Sequence, residues 1–121
     1  MTWQVVLHPR FAEELAELAE AVLDEVLALS EALTELGPQL RRPRSDTLNG
    51  SKHANMKELR FDADGGVWRV AYAFDPKRKA VLLVAGDKSG GSQKRFYKTL
   101  LKRADDRFDE HLAALKNRRR T

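Results

Sequence analysis

Residues 56–85 read MKELRFDADGGVWRVAYAFDPKRKAVLLVA, and this stretch decides the fold. Three runs of strand-forming residues, Met56 to Asp62, Val67 to Phe74 and Lys79 to Ala85, are separated by Ala63-Asp64-Gly65-Gly66 and by Asp75-Pro76-Lys77-Arg78. Both separators hold the Gly, Pro and Asp that tight turns require, so the segment predicts an antiparallel meander. In the second run Trp68, Val70, Tyr72 and Phe74 alternate with Val67, Arg69, Ala71 and Ala73. Successive side chains of a strand point to opposite faces, which puts Arg69 on a small-residue face away from the aromatic row.

Working toward the N-terminus, Arg41 to Gly50 (RRPRSDTLNG) mixes Pro43, Asp46 and Asn49-Gly50 with basic residues and shows no periodicity. It reads as a surface loop whose arginines can reach a ligand. Before it, Phe11, Leu15, Leu18, Val22, Val26, Leu29, Leu33 and Leu36 recur every three or four residues, with most glutamates off that seam. That is an amphipathic helix ended by Gly37-Pro38. A helix of this length is long for so small a chain, so a helical hairpin broken near Glu20 to Asp24 is the alternative, although no Gly or Pro marks a break there. Trp3 to Leu7 is a short strand closed by His8-Pro9, with Pro9 placed to open the helix.

Toward the C-terminus, Gly86 to Gly91 (GDKSGG) is a connector, and Ser92 can cap a last helix whose seam is Tyr97, Leu100, Leu101, Ala104, Phe108, Leu112 and Leu115. The expected architecture is α+β. A small antiparallel sheet, made of the N-terminal strand and the meander, is packed by an N-terminal helical segment or hairpin and by a C-terminal helix. Residues 1–121 are read as one domain, with residues 116–121 (KNRRRT) as a basic tail suited to a helix C-terminus.

Charge divides the chain. Residues 1–37 carry one Arg against eight Asp and Glu, whereas residues 38–121 carry 21 basic and 10 acidic residues. A basic surface of that extent attracts polyanions, so nucleic acid or an acidic protein is the natural partner. There is no cysteine, hence no disulfide, thiol nucleophile or zinc knuckle. No HExxH, Cys/His cluster or close carboxylate pair occurs, so neither a metal nor another cofactor is expected, and GDKSGG lacks the spacing of a P-loop. No apolar run reaches bilayer length and no signal peptide opens the chain, so a cytoplasmic protein with no membrane contact is expected.

The chemistry-bearing residues are basic. Lys94, Arg95 and Lys98 crowd the start of the last helix, where the partial positive charge of the dipole should prefer an acid, so an anion is expected there. Lys52, His53, Lys57, Arg60, Arg69 and Lys88 lie on the strands or beside them. Alternation separates Lys57, with Leu59 and Phe61, from Arg60, with Met56 and Glu58. Glu58 is a natural salt-bridge partner for a cross-strand arginine.

Three segments taken in order, Leu48-Asn49-Gly50-Ser51 through Met56-Lys57-Glu58-Leu59-Arg60, the WRVAYAFD strand at Trp68 to Asp75, and GDKSGGSQKRFY at Gly86 to Tyr97, resemble the RelE/ParE superfamily, and HigB-like toxins most closely. The resemblance spans nearly the whole chain. It implies the toxin of a type II toxin–antitoxin system, a metal-independent endoribonuclease that cuts mRNA in the ribosome by attack of a 2′-hydroxyl on the adjacent phosphate. By position it implies catalytic roles for Arg60, Arg69, Lys88 and Tyr97, and RNA contacts by Arg41, Arg42, Arg44, Lys52, His53, Lys57, Lys94, Arg95 and Lys98. Tyr97 would need nearby cations such as Lys94 or Lys88 to act as a base, its ordinary pKa being near 10. A family run with two lysines is replaced here by Gly86-Asp87-Lys88-Ser89, so the identity of the base stays open. The implied partners are the ribosome, mRNA and a helix-turn-helix antitoxin held in a hetero-oligomer. A ParE-like gyrase inhibitor or a non-catalytic RNA-binding protein of the same fold are the alternatives.

Overall fold

The computed structural model describes residues 2–119. The elements run β1 (Gln4–Leu7), α1 (Pro9–Ala16), α2 (Glu20–Leu36), a 3-10 turn (Gly37–Gln39), β2 (Ser45–Thr47), β3 (Lys57–Ala63), β4 (Gly66–Phe74), β5 (Lys79–Asp87) and α3 (Gln93–Arg119). They form one five-stranded sheet in the order β1-β5-β4-β3-β2. The meander β3-β4-β5 is antiparallel as its turns predict, and β2 continues that pattern. β1 joins the far edge in parallel, Gln4 opposite Lys79 through Leu7 opposite Leu82.

Alternation in β4 sets the two layers. Val70 and Tyr72 face α1 and α2, where they are buried with Phe11, Leu15, Val22, Val26, Leu29 and Leu33. Ala71 and Ala73 face α3 and meet Leu100, Ala104 and Phe108, small residues on the strand admitting the helix at close range. Full burial of each large apolar side chain in these layers contributes about 1.5–3 kcal/mol before entropy is counted.

The N-terminal helical segment is a hairpin, and its break lies at residues 17–19 rather than near Glu20 to Asp24. The Glu17 and Leu18 N–H groups bond back to the Glu14 and Leu15 carbonyls at 3.1 Å, tightening the last turn. Ala19 then leaves helical geometry with ψ 148°. No breaker residue causes this; packing does, since Leu15 and Val22 both have to reach the same sheet face. At the far end, Gly37 has φ +54° and a Cβ there would overlap the Trp3 indole, so glycine is required at that position.

The loop expected over Arg41 to Gly50 contains the short strand β2, which covers the edge of β3. Ser45 is buried there, its hydroxyl 2.5 Å from the Tyr72 hydroxyl. Ser92 caps α3 as its sequence suggests, its Oγ accepting from the Arg95 N–H at 3.2 Å. α3 continues into the basic tail to Arg119, while Arg120 and Thr121 lie outside the described residues. No helix among the described residues is long and apolar enough to cross a membrane.

Candidate active site

The β3–β4 register places Arg60 directly opposite Arg69, and Glu58 opposite Ala71. Like charges in cross-strand contact repel, so each arginine needs a partner. Arg69 is 5% exposed and lies across the first turns of α3. Its Nη1 donates to the Trp68 carbonyl at 2.8 Å, its Nε donates to the Tyr97 hydroxyl at 3.3 Å, and Nε lies 3.8 Å from the Glu58 carboxylate. Tyr97 in turn donates its phenolic proton to Glu58 Oε1 at 3.0 Å. Three elements thus converge on one buried cluster: a carboxylate from β3, a guanidinium from β4 and a phenol from α3.

Burial sets the proton affinities of this cluster. Loss of solvent pushes the Glu58 carboxyl above its ordinary value, and the Tyr97 hydrogen bond and the two arginines only partly offset that. Tyr97 is pushed up as well, by burial first; the Arg69 hydrogen bond lowers it, and the Glu58 charge raises it again. The cations expected to activate Tyr97, Lys94 and Lys88, do not surround it. It sits between an arginine and a carboxylate and is held protonated. Glu58 is therefore the group with base character, and sequence reasoning cast it only as a salt-bridge partner. Its place on the strand face of Arg60 was legible from alternation, but its contact with Tyr97, 39 positions away, was not.

Arg60 is more open than Arg69 and reaches outward to Asp46, with its Nη1 3.6 Å from Oδ2. Arg42 holds the same Asp46 oxygen through Nη2 at 2.7 Å and Nε at 2.9 Å, and this hydrogen bonding is the largest cause holding the Asp46 carboxyl below its ordinary value. Arg42, Asp46, Asn49, Glu58, Arg60 and Tyr97 line a cleft of about 290 Å³. Arg42 and Arg60 also border a neighbouring depression of about 360 Å³ over Phe61, Asp62 and Arg69. The arrangement can seat an anion on arginines beside a carboxylate and a phenol that share one proton.

The other predicted residues divide into groups. Lys57 lies on the opposite face, paired in register with Tyr72, and borders a separate depression with Arg41. Lys52 and His53 are drawn away to α3, where both pair with Asp109, the histidine at 2.9 Å. His53 also packs edge-on against Phe108. Arg44 is exposed next to β2 and uses its carbonyl to accept from the Arg60 N–H at 2.8 Å. Lys94, Arg95 and Lys98 are exposed on the first turns of α3. Lys88 follows β5 with its side chain partly exposed, its N–H bonded to the Val67 carbonyl. Among the described residues no three His, Cys, Asp or Glu side chains converge as metal ligands would.

A family model described as phage-derived protein Gp49-like matches residues 13–109. Two relatives come from Mycobacterium tuberculosis. Putative toxin HigB2 is 43% identical over 105 residues, covering 86% of this chain and 52% of that protein. Putative toxin HigB3 is 38% identical over 110 residues, covering 91% and 94%. The chain therefore spans about half the length of the first relative and nearly all of the second. Among solved structures, a free double arginine-to-alanine mutant of the E. coli toxin RelE superposes with a TM-score of 0.59 at 12% identity, covering 84% of this chain and 95% of that one. The archaeal RelE–RelB complex from Pyrococcus horikoshii provides a second match, with a TM-score of 0.55 at 22% identity over 75% of this chain and 100% of the other. At these identities the likeness is one of fold.

Proposed function

The chain belongs to the Gp49-like family and is a RelE/HigB-type toxin, and from that premise we propose that it is a metal-independent endoribonuclease that cuts mRNA on the ribosome. The observation that carries this reading is the Glu58–Tyr97–Arg69 cluster opening beside Arg60 into a cleft that Arg42 and Arg60 line together with Asp46.

The proposed chemistry follows from that geometry. A phosphodiester seats on Arg60 and Arg69, whose guanidinium groups take up the charge that grows on the phosphorane oxygens. The Glu58 carboxylate, made more basic by burial, accepts the proton of the 2′-hydroxyl, and the freed oxygen attacks phosphorus. As the bond from phosphorus to the 5′-oxygen breaks, Tyr97 gives its proton to that oxygen and recovers one from Glu58 across their hydrogen bond. One proton has moved from the 2′-oxygen to the 5′-oxygen, leaving a 2′,3′-cyclic phosphate and a 5′-hydroxyl. Arg42 lines the cleft and supplies a phosphate contact there, Arg44, Lys88, Lys94 and Lys98 supply contacts farther along the RNA, and Lys52 and His53 brace the loop against α3. The site of action is the cytoplasm, and the neutralising partner is an antitoxin, which the RelE–RelB likeness supports.

Sequencing of 5′ ends in cells induced for the chain tests this reading. New 5′-hydroxyl ends inside translated reading frames, abolished in Arg69→Ala, are the expected result. DNA damage with intact transcripts would replace it with the gyrase reading.

A further inference from the structure

We propose that the depression over Phe61 and Asp62 is a nucleobase pocket that selects guanine in a nucleotide flanking the scissile phosphate, with Asp62 as its specificity-determining residue. The inference rests on the endoribonuclease reading and concerns a hollow beside the catalytic cleft, at the open end of β3.

β2 covers β3 only in part. Their paired register runs from Thr47 opposite Lys57 to Ser45 opposite Leu59, and the Arg60 N–H closes it with its bond to the Arg44 carbonyl. From Phe61 onward β3 is an edge, so side chains from both of its faces reach around it, Phe61 from the face of α2 and Asp62 from the face of Arg60. Arg42, Pro43, Arg60, Phe61, Asp62 and Arg69 line the resulting hollow of about 360 Å³. Phe61 is half-buried and stacked on Trp68, the rings 7° from parallel with centroids 6.5 Å apart. Trp68 is itself fixed by its Nε1–H, which donates to the Ala63 carbonyl at 3.2 Å.

Charge decides what fits the hollow. Arg42 and Arg60 are held by Asp46, and Arg69 by Tyr97 and Glu58. Asp62 is exposed on the same hollow, and among the described residues its carboxylate forms no ion pair and accepts no hydrogen bond. An unpaired carboxylate two residues from a phosphate-binding arginine repels the RNA backbone, so the group it suits is a donor on a nucleobase. A peptide cation would suit Asp62 as well, but the three arginines around the hollow repel it. An ionised carboxylate accepts and cannot donate. Guanine carries two adjacent donors, N1–H and the 2-amino group, which match the two carboxylate oxygens. Adenine and cytosine set one amino group beside a ring-nitrogen acceptor, and uracil sets N3–H between two carbonyls, so each of them turns a lone pair toward Asp62. The Phe61 and Pro43 rings supply the apolar contact on which an unstacked base of single-stranded RNA rests.

Mapping of 5′-hydroxyl ends in cells induced for wild type and for Asp62→Asn, together with cleavage of ribosome-bound messages carrying inosine, tests the proposal. Asp62 is exposed, so its substitution leaves the core untouched. In wild type, guanine is expected at one fixed position beside the cut. Asp62→Asn still cuts, and guanine there loses about tenfold of its advantage, since the amide turns a donor toward the guanine N–H groups. Inosine, which lacks only the 2-amino donor, lowers the wild-type rate at that position by about tenfold and does not lower the rate of Asp62→Asn. Cuts without base preference, a guanine preference that Asp62→Asn retains, or inosine cleaved by wild type as fast as guanosine each overturn the pocket and leave the endoribonuclease reading standing. A wild-type chain that produces no 5′-hydroxyl ends overturns that reading and, with it, the proposed occupant.

Discussion

Tyr97 of α3 donates its hydroxyl proton to Glu58 of β3 at 3.0 Å, joining two residues 39 positions apart in a partly buried site. The bond makes the pair a single proton-handling unit. In the proposed reaction Glu58 takes the 2′-hydroxyl proton and passes it to Tyr97, replacing the one Tyr97 gives to the leaving oxygen.

Glu58→Gln keeps the shape and the acceptor but removes the base, so cleavage should fall by about 10²- to 10⁴-fold. Tyr97→Phe should lower it as well, with the 5′-hydroxyl leaving step most affected. Because burial raises the Glu58 pKa, the acidic limb of the wild-type pH–rate profile should lie above the ordinary carboxylate range. The same shift fixes the sign of the stability effect. A carboxyl raised in the folded state stabilises the fold while protonated and loses that contribution as pH rises through its pKa. Glu58→Gln should therefore gain thermal stability over wild type as pH is raised above that range, measured by melting at a series of pH values.

Asp46 competes with RNA for arginines. Its carboxylate bridges Arg42 and Arg60 at the mouth of the cleft, occupying the position a phosphate would take. Asp46→Asn should tighten binding of a short single-stranded RNA at low salt and steepen the slope of log K against log salt by about 0.7 for one added phosphate contact. Unchanged slope and affinity would show that the two arginines do not meet the RNA backbone.

The two faces of the sheet should respond differently to substitution. Arg69→Lys loses the planar fork that reaches Tyr97 and the Trp68 carbonyl, and cleavage should drop by about 10²- to 10³-fold. Lys57→Ala, on the face away from the cleft, should stay within about twofold of wild type, the size of an ordinary surface substitution. Single-turnover cleavage of a ribosome-bound message measures both.

Arg107 of α3 clamps α1 through two bonds to Glu14, at 2.6 and 2.7 Å, and a third to the Leu83 carbonyl. Arg107→Ala should cost about 1–3 kcal/mol, because the buried carbonyl loses its donor. The Arg107 hydrogen bond holds the Glu14 carboxyl below its ordinary value. A lowered carboxyl stabilises the fold above its unfolded pKa and loses that contribution as pH falls through the folded one. Glu14→Gln should thus lower the melting temperature at neutral pH and lose its effect in acid, with cleavage unchanged.

Local periodicity made much of this architecture legible. The meander, the facing of Arg69 away from the aromatic row, and the Ser92 cap of α3 each depend on residues a few positions apart. β2 was hidden because three residues carry no period, and the break at residues 17–19 because tertiary packing, rather than a Gly or Pro, makes it. The parallel pairing of β1 depends on where α1 and α2 return the chain.

The sequence by itself determined a basic α+β domain with an acidic N-terminal segment, since composition and hydrophobic repeats are properties of the chain. It also supplied a surplus of basic residues with equal claim to the site. Only the tertiary structure decided among them, because the β3–β4 register and the path of α3 bring together groups that no local pattern relates. Arg69 meets Tyr97 across 28 positions, while Lys52 and His53 are drawn off to Asp109. Burial then gave Glu58 the proton affinity that its place in the sequence could not reveal.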